Sequence, residues 1–482
     1  MAKPDIQHFI VLMLENRSFD HFFGFFPGLG DDGLDGTEFN TLDPKDASSQ
    51  KFFATKTAPW KTSGEGPSHS LSGTNLQLAG TKDGPSSPAG VKLNGFVADY
   101  RSALQHAQTN PVHVPTPSQL GEVMASFPPE ALPSINALAQ NFCLCSHWHS
   151  EVPGPTQPNR LYMQAATSGG RVWNNWKLTF DWRTIYENLQ DNGQTWASYQ
   201  VGKDNQFNEL LEFTKINKQQ DNFRSFDTDF EADMKAGKFP NYSFIVPQYK
   251  SSASGAANSQ HAPDDVRYGD NLIADVYEAL RRNEDVWSKA VLIVTHDEHG
   301  GFFDHVKPPM GVPNPDGINA PLPDDPSYVG EFKFDRLGLR VPAIIVSPWV
   351  AKQIYTKQLQ HTSVLATVKK WFGLKDFLTK RDASANSFET LFLNQARTDA
   401  PMTLPRAQVD KLKPTDARHP KNQPLDENRR EMVEGAGHLT NAPWKSNVPE
   451  THGAAASAVS KAMKERFPRR GQPKAKRKPG KP

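Results

Sequence analysis

An apolar, β-branched run at residues 290–294 (AVLIV) stops at Thr295-His296-Asp297-Glu298-His299-Gly300-Gly301-Phe302-Phe303-Asp304-His305. A short continuous run of this kind makes a strand buried on both faces, and such strands belong to parallel sheets covered by helices. Three carboxylates and three imidazoles then follow within about ten residues, beside a glycine pair that lets backbone come close. In open α/β sheets, ligands bind at the carboxyl ends of the strands. A polar loop after a strand is often no more than that, so the rest of the chain has to supply partners.

Composition sets the outer limits. At 482 residues the chain can bury one large core or a few modest ones. Hydrophobic content of 37% and a mean hydropathy of −0.62 describe a soluble, rather polar chain, and 39 Pro with 33 Gly imply much ordered loop. The 54 basic and 53 acidic residues nearly balance, which argues against nucleic acid as a specific partner. The balance hides a gradient, because from Lys461 onward about ten Lys or Arg stand against one Glu. No run of about eighteen apolar residues occurs, so no transmembrane helix is expected. No signal-peptide pattern opens the sequence, so a cytoplasmic protein or leaderless export is expected. Cys143 and Cys145 cannot form a disulfide framework, and buried thiols are a better reading of their spacing than a soft-metal site.

Taken in order, residues 6–14 (IQHFIVLML) read as a buried first strand. It ends at Glu15-Asn16-Arg17-Ser18, where Asn16 or Ser18 can cap a helix and Glu15 can pair with Arg17. Residues 29–120, rich in Gly, Ser, Pro and Thr, read as a long loop insertion carrying His69, His106 and His113. Residues 133–142 form an amphipathic helix with Pro at its start. In Pro153-Gly154-Pro155-Thr156-Gln157-Pro158-Asn159-Arg160, Thr156 reads as an N-cap and Pro158 fits the first turn. A helix N-terminus with free N–H groups is a ready phosphate site, and a hydroxyl there can attack phosphorus once its proton is removed.

Strands are expected at 195–200 and 242–246, and a helix at 271–282 before the 290–294 strand predicts a parallel crossover. Residues 340–346 are a further strand, with Pro342 pointing to an edge or a bulge. A helix follows His361. The expected fold is therefore α/β. Its divisions are a core at 1–395, an extension at 396–467 with a helix at 454–467, and a disordered basic tail at 468–482.

The strand ends and the helix start offer Glu15, Asn16, Asp297, Glu298 and Thr156. Carboxylates, an amide oxygen and a hydroxyl form a hard-oxygen set that suits one divalent cation, Ca²⁺, Mg²⁺ or Mn²⁺, whereas Zn²⁺ would prefer more nitrogen or sulfur. Phosphoester hydrolysis needs an activated nucleophile, positive charge on the non-bridging oxygens and a proton for the leaving group. His261 or His69 can supply the second or the third.

The segments ENRSFDHFFG (15–24), PGPTQPNR (153–160) and DEHGGFFDHV (297–306) resemble the bacterial phosphoesterase family of the alkaline-phosphatase-like superfamily. That family includes phosphatidylcholine phospholipases C, acid phosphatases of the A type and plant non-specific phospholipases C. HAPDDVRYGD (261–270), RLGLRVPAIIVSPWV (336–350) and HTS (361–363) look like its other blocks, in the right order over about residues 6–375. The resemblance implies a three-layer sandwich with a mostly parallel central sheet. It implies one metal held by Glu15, Asn16, Thr156, Asp297 and Glu298, and Thr156 as a transiently phosphorylated nucleophile. It makes His69 and His261 contacts to the phosphoryl group or donors to the leaving alkoxide, with Asn159 and His299 also binding substrate.

Threonine rather than serine at 156 is similar to the phospholipase C branch, so the expected activity is cleavage of phospholipid headgroups to diacylglycerol and a phosphorylated alcohol. The alternatives are a broad-specificity acid phosphatase, or a protein that binds anionic membrane or another polyanion through its basic tail. Two departures from the family stand out. Relatives are often secreted or periplasmic and carry an export leader, and the larger phospholipases carry β-rich C-terminal domains, whereas only about ninety polar residues follow the core here.

Overall fold

The protein, described by a computed structural model, is seen at residues 4–106, 114–202, 208–253, 255–322, 330–410, 415–416, 419–445 and 447–467. The apolar run becomes the strand Ala290–His296, which pairs in parallel with His8–Leu14 over its whole length. Residues 9–14 expose no side chain to water. Each large apolar side chain so buried contributes about 1.5–3 kcal/mol.

These two strands are the middle of an eight-stranded sheet. Its order is Gln353–Tyr355, Cys143–Cys145, Ala343–Val346, Ala290–His296, His8–Leu14, Tyr242–Val246, Trp196–Gln200, Phe223–Ser225. Ala343–Val346 runs antiparallel to both neighbours, and the other pairings are parallel. Helix Val266–Arg281 lies between Tyr242–Val246 and Ala290–His296 in the chain, giving the expected parallel crossover. Helix Pro133–Asn141 packs on Val266–Arg281, and helix Thr156–Ala165 packs on His361–Phe372. With both faces of the central strands covered, the architecture is a three-layer α/β sandwich. Cys143 and Cys145 are buried free thiols in an inner strand.

Three expectations change. Pro342 precedes Ala343–Val346, so its missing N–H falls outside the ladder, and the strand lies inside the sheet rather than at an edge. The 29–120 stretch is more than loop. It holds helices Leu71–Ala79 and Phe96–His106 and a hairpin of Phe39–Thr41 with Lys51–Phe53. Leu78, Phe96, Val97 and Tyr100 from this stretch form a second apolar cluster with Phe303 from the loop after the central strand. The extension beyond 396 contributes two helices, Glu427–Thr440 and His452–Arg466, whose Met432, Val433, Ala455 and Val459 join the main core. Among the described residues no helix is long and apolar enough to cross a membrane. His113 and the tail at 468–482 lie outside the described residues.

Candidate active site

Leu14 stands opposite His296 in the central pairing, so Glu15-Asn16 and Asp297-Glu298 leave the sheet side by side. All four side chains are buried. Asn16 has φ 59°, a left-handed conformation that Asn tolerates because of its short polar side chain. Its N–H donates to Asp297 Oδ1 at 3.0 Å, which also accepts from Glu298 N–H at 2.8 Å. The glycine pair makes this closeness possible. A Cβ on Gly300 would lie 2.1 Å from the Asn16 carbonyl oxygen, and one on Gly301 would lie 2.5 Å from that of Ser68. The segments carrying Asn16 and His69 therefore close onto one loop. Arg17, expected as a partner for Glu15, instead donates to the Gln260 carbonyl at 2.8 Å, and Ser18 caps the short helix Phe19–Phe23.

Thr156 is wholly buried, and its Oγ1 donates to Asn16 Oδ1 at 3.2 Å. It is the first helical residue rather than the cap, which is Pro155. The helix start is also less open to phosphate than expected, since Gln157 N–H donates to Asn174 Oδ1 at 2.9 Å and Pro158 has no N–H. Asn159, expected to touch substrate, has its amide committed to backbone. Its Oδ1 accepts from Glu151 and Val152 N–H, and its Nδ2 donates to the carbonyls of Val152, Gly154 and Pro155. It holds the turn that presents Thr156.

One helical turn beyond Thr156, Arg160 donates from Nε to Asp297 Oδ2 at 3.0 Å and from Nη1 to Glu209 at 2.7 Å. The i, i+4 spacing from Thr156 was the sequence signal that could have found it.

His69 Nδ1 lies 3.2 Å from Glu298 Oε1, and the ring centroids of His69 and His261 are 5.7 Å apart. His299 is the other residue expected to bind substrate. It is buried behind Glu298, with Nδ1 3.4 Å from Glu298 Oε2 and Nε2 2.7 Å from Gln77 Oε1. Burial acts against charge on His69, but the Glu298 carboxylate raises its pKa to about 9. Burial, then the Arg429 guanidinium, lowers His261 to about 3. The carboxylates divide in the same way. Burial, with Glu298 and Glu15 nearby, pushes Asp297 up against the pull of Arg160. Burial would raise Glu298 too, but His69 and His299 hold it well below the usual range.

Arg429 comes from the extension. It donates from Nη1 to His261 Nδ1 at 3.0 Å and to Asp426, and from Nη2 to Asp264 at 2.7 Å. His261 Nδ1 also lies against the Ala262 carbonyl. A guanidinium only donates, so pairing with Arg429 requires the ring proton on Nε2, whereas pairing with the Ala262 carbonyl requires it on Nδ1. His261 Nε2 is buried with no hydrogen-bond partner. No local signal in the sequence linked Arg429 to a histidine 168 residues earlier.

Among the described residues, no three His, Cys, Asp or Glu side chains are already grouped as a metal site. The donor chemistry nevertheless fits a hard cation. Glu15 Oε1 is buried with no hydrogen-bond partner, an arrangement that a buried carboxylate oxygen tolerates poorly unless a ligand satisfies it, and Glu298 Oε1 meets the His69 ring alone, at 3.2 Å. Glu15, Asn16, Thr156, Asp297 and Glu298 would hold it.

The profile of the phosphoesterase family matches residues 6–375. Non-specific phospholipase C3 of Arabidopsis thaliana is 38% identical over 84% of this chain and 76% of its own. Phospholipase C B of Mycobacterium tuberculosis is 29% identical over 80% of this chain and 78% of its own. A solved alkaline phosphatase superfamily protein from Vibrio parahaemolyticus aligns at 14% identity and a TM-score of 0.31, over 54% of this chain and 64% of its own. The chain thus belongs to the phosphoesterase family and is a hydrolase of phosphoric ester bonds.

Proposed function

We propose that the protein is a phospholipase C that cleaves the phosphodiester of a phospholipid headgroup through a phosphorylated Thr156. The observation that carries the reading is the buried Thr156 hydroxyl, hydrogen-bonded to Asn16 and set beside the Asp297-Glu298 strand end. Identity to proteins named phospholipase C across more than three quarters of the chain supports the substrate class.

In this reading Thr156 Oγ forms a bond to phosphorus as the phosphorus–oxygen bond to diacylglycerol breaks, and the departing oxygen takes a proton. Water then releases the phosphorylated alcohol and restores the hydroxyl. In the tautomer that accepts from Arg429 at Nδ1, His261 Nε2–H donates to a phosphoryl oxygen. His69, ion-paired through Nδ1 to Glu298, stands beside it as the proton donor to the leaving group. Asn159 and Arg160 hold the nucleophile turn and Asp297 in place. A divalent cation on the Glu15, Asn16, Thr156, Asp297 and Glu298 oxygens supplies, when bound, a more acidic hydroxyl and neutralisation of phosphate charge.

The test is hydrolysis of nitrophenyl phosphorylcholine beside nitrophenyl phosphate, with wild type and Thr156→Ala, each with and without chelator. Diester turnover is expected, falling by about a thousandfold or more in the variant and on chelation. Turnover of the monoester alone would move the protein to the phosphatases. Failure of both substrates with divalent metal added would contradict the reading.

A further inference from the structure

The segment at residues 51–61 (KFFATKTAPWK) carries three lysines, three aromatic rings and no acidic residue. Its rings divide in the structure. Phe52 is buried in the second apolar cluster, whereas Phe53 is 48% and Trp60 45% exposed. Phe53 stands directly opposite Phe39 in the hairpin, and Phe39 is 41% exposed, with the two ring centroids 5.5 Å apart.

A solitary exposed aromatic needs no explanation. Here, however, the inner side of the same hairpin buries Asn40 and Phe52, while the outer side leaves a facing pair of phenylalanines in water. Lys51, Lys56 and Lys61 are all exposed, and among the described residues none forms an ion pair with a carboxylate. Two of them lie over rings instead, Lys51 Nζ 4.2 Å from the Phe39 centroid and Lys56 Nζ 4.9 Å from that of Phe25.

Rings beside unpaired ammonium groups fit the boundary of an anionic bilayer, where apolar rings enter among the acyl chains and lysines reach headgroup phosphates. An acidic or neutral protein surface would satisfy the charge but not the rings, and an apolar protein surface would strand the lysines. The same segment continues into Lys61, Thr62, Ser63 and Gly64, which line one wall of a cleft of about 580 Å³. Asp264 and Asp426 also line it and hold Arg429 against His261. The cleft therefore joins the end of the lysine-bearing segment to the carboxylates that hold Arg429.

We infer that the outer face of the Phe39–Phe53 hairpin, together with the lysine-bearing segment after it, is a membrane-docking surface that seats the protein on bilayers containing anionic lipid. This rests on the phospholipid reading of the active site and adds where the protein meets its substrate. The surface draws on none of residues 468–482, so binding is expected to persist when they are removed.

The experiment uses the full chain and a form lacking residues 468–482. Each is made as wild type, as Phe39→Ser with Phe53→Ser, and as Lys51→Glu with Lys56→Glu. Binding is read by co-sedimentation with phosphatidylcholine vesicles containing a minority of phosphatidylserine, and hydrolysis of soluble nitrophenyl phosphorylcholine is read in parallel. The expected result is that both double variants lose vesicle affinity about tenfold or more, given about fivefold for each basic contact at an anionic surface. Soluble turnover stays at the wild-type level, because the substituted side chains are on the surface and outside the site.

Vesicle binding that survives in both variants, or that vanishes with the tail alone, overturns the inference. Patch-dependent binding without turnover of any phosphodiester upholds the surface and counts instead against the phospholipase reading.

Discussion

Arg429 shows how one side chain can join two parts of the molecule. Its guanidinium is almost fully buried and links Asp264, Asp426, the Tyr249 carbonyl and the His261 ring. Removing it strands two carboxylates, so Arg429→Ala is expected to lose roughly 3–5 kcal/mol of stability. Arg429→Lys keeps a positive charge near Asp264 and Asp426 but cannot also reach His261 Nδ1 as a planar fork does. It is expected to unfold within a few degrees of wild type yet show kcat reduced about tenfold, with little change in KM. Equal losses of stability in the two variants, with kcat intact in the folded fraction, would reduce Arg429 to a structural tie. Little of this was legible beforehand. Glu15, Asn16, Thr156, Asp297 and Glu298 stand at strand ends and a helix start, which patterning locates. Arg429 lies in a polar stretch whose helix is seen only once it packs on the core.

The loop after the central strand is fixed by a second buried cluster. Arg340 donates to Asp304 Oδ1 at 2.9 Å and to Asp20 Oδ1 at 2.7 Å, and reaches the carbonyls of Asp32 and Ser146. Asp20 Oδ2 accepts from His305 N–H at 2.7 Å and lies 2.6 Å from His305 Nδ1. The cluster ties the helix Phe19–Phe23 and the approach to strand Ala343–Val346 to the end of the site loop. Burial, and Arg340 nearby, act against charge on His305, but Asp20 and then Asp304 raise its pKa to about 9. The folded-state value lies above the unfolded value of about 6.5. His305 therefore adds stability that is complete below about pH 6.5 and is lost as pH rises through about 9, an effect of roughly 1–3 kcal/mol. Melting temperature should fall more steeply over that range in wild type than in His305→Gln. Parallel curves would remove His305 from the account.

Five strands were readable from short runs rich in apolar, β-branched or aromatic residues, whereas the three-residue strands Cys143–Cys145, Phe223–Ser225 and Gln353–Tyr355 were not expected. Helix Val266–Arg281 began five residues earlier than its periodicity implied, at a cap formed by Asp265.

Across the whole molecule, the α/β class with a mostly parallel central sheet followed from the sequence, but the covering of the site did not. Residues 29–120 lack long periodic segments, yet they bring His69 to Glu298 and share an apolar cluster with Phe303. The extension reaches the site through Arg429, which contacts His261. Both coverings depend on contacts between distant segments, which local patterning does not encode. Thr156 has no exposed surface, and the 580 Å³ cleft is lined by residues of insertion, core and extension.

The central claim is that Thr156 carries the phosphoryl group between its two transfers. The most direct measurement is mass spectrometry of the protein quenched in acid during turnover of nitrophenyl phosphorylcholine. The account predicts a phosphorylcholine adduct on the peptide containing Thr156, absent from Thr156→Ala and absent when substrate is omitted. Steady turnover with no adduct on Thr156, or full activity in Thr156→Ala, would contradict it and pass the attack to water or to another residue.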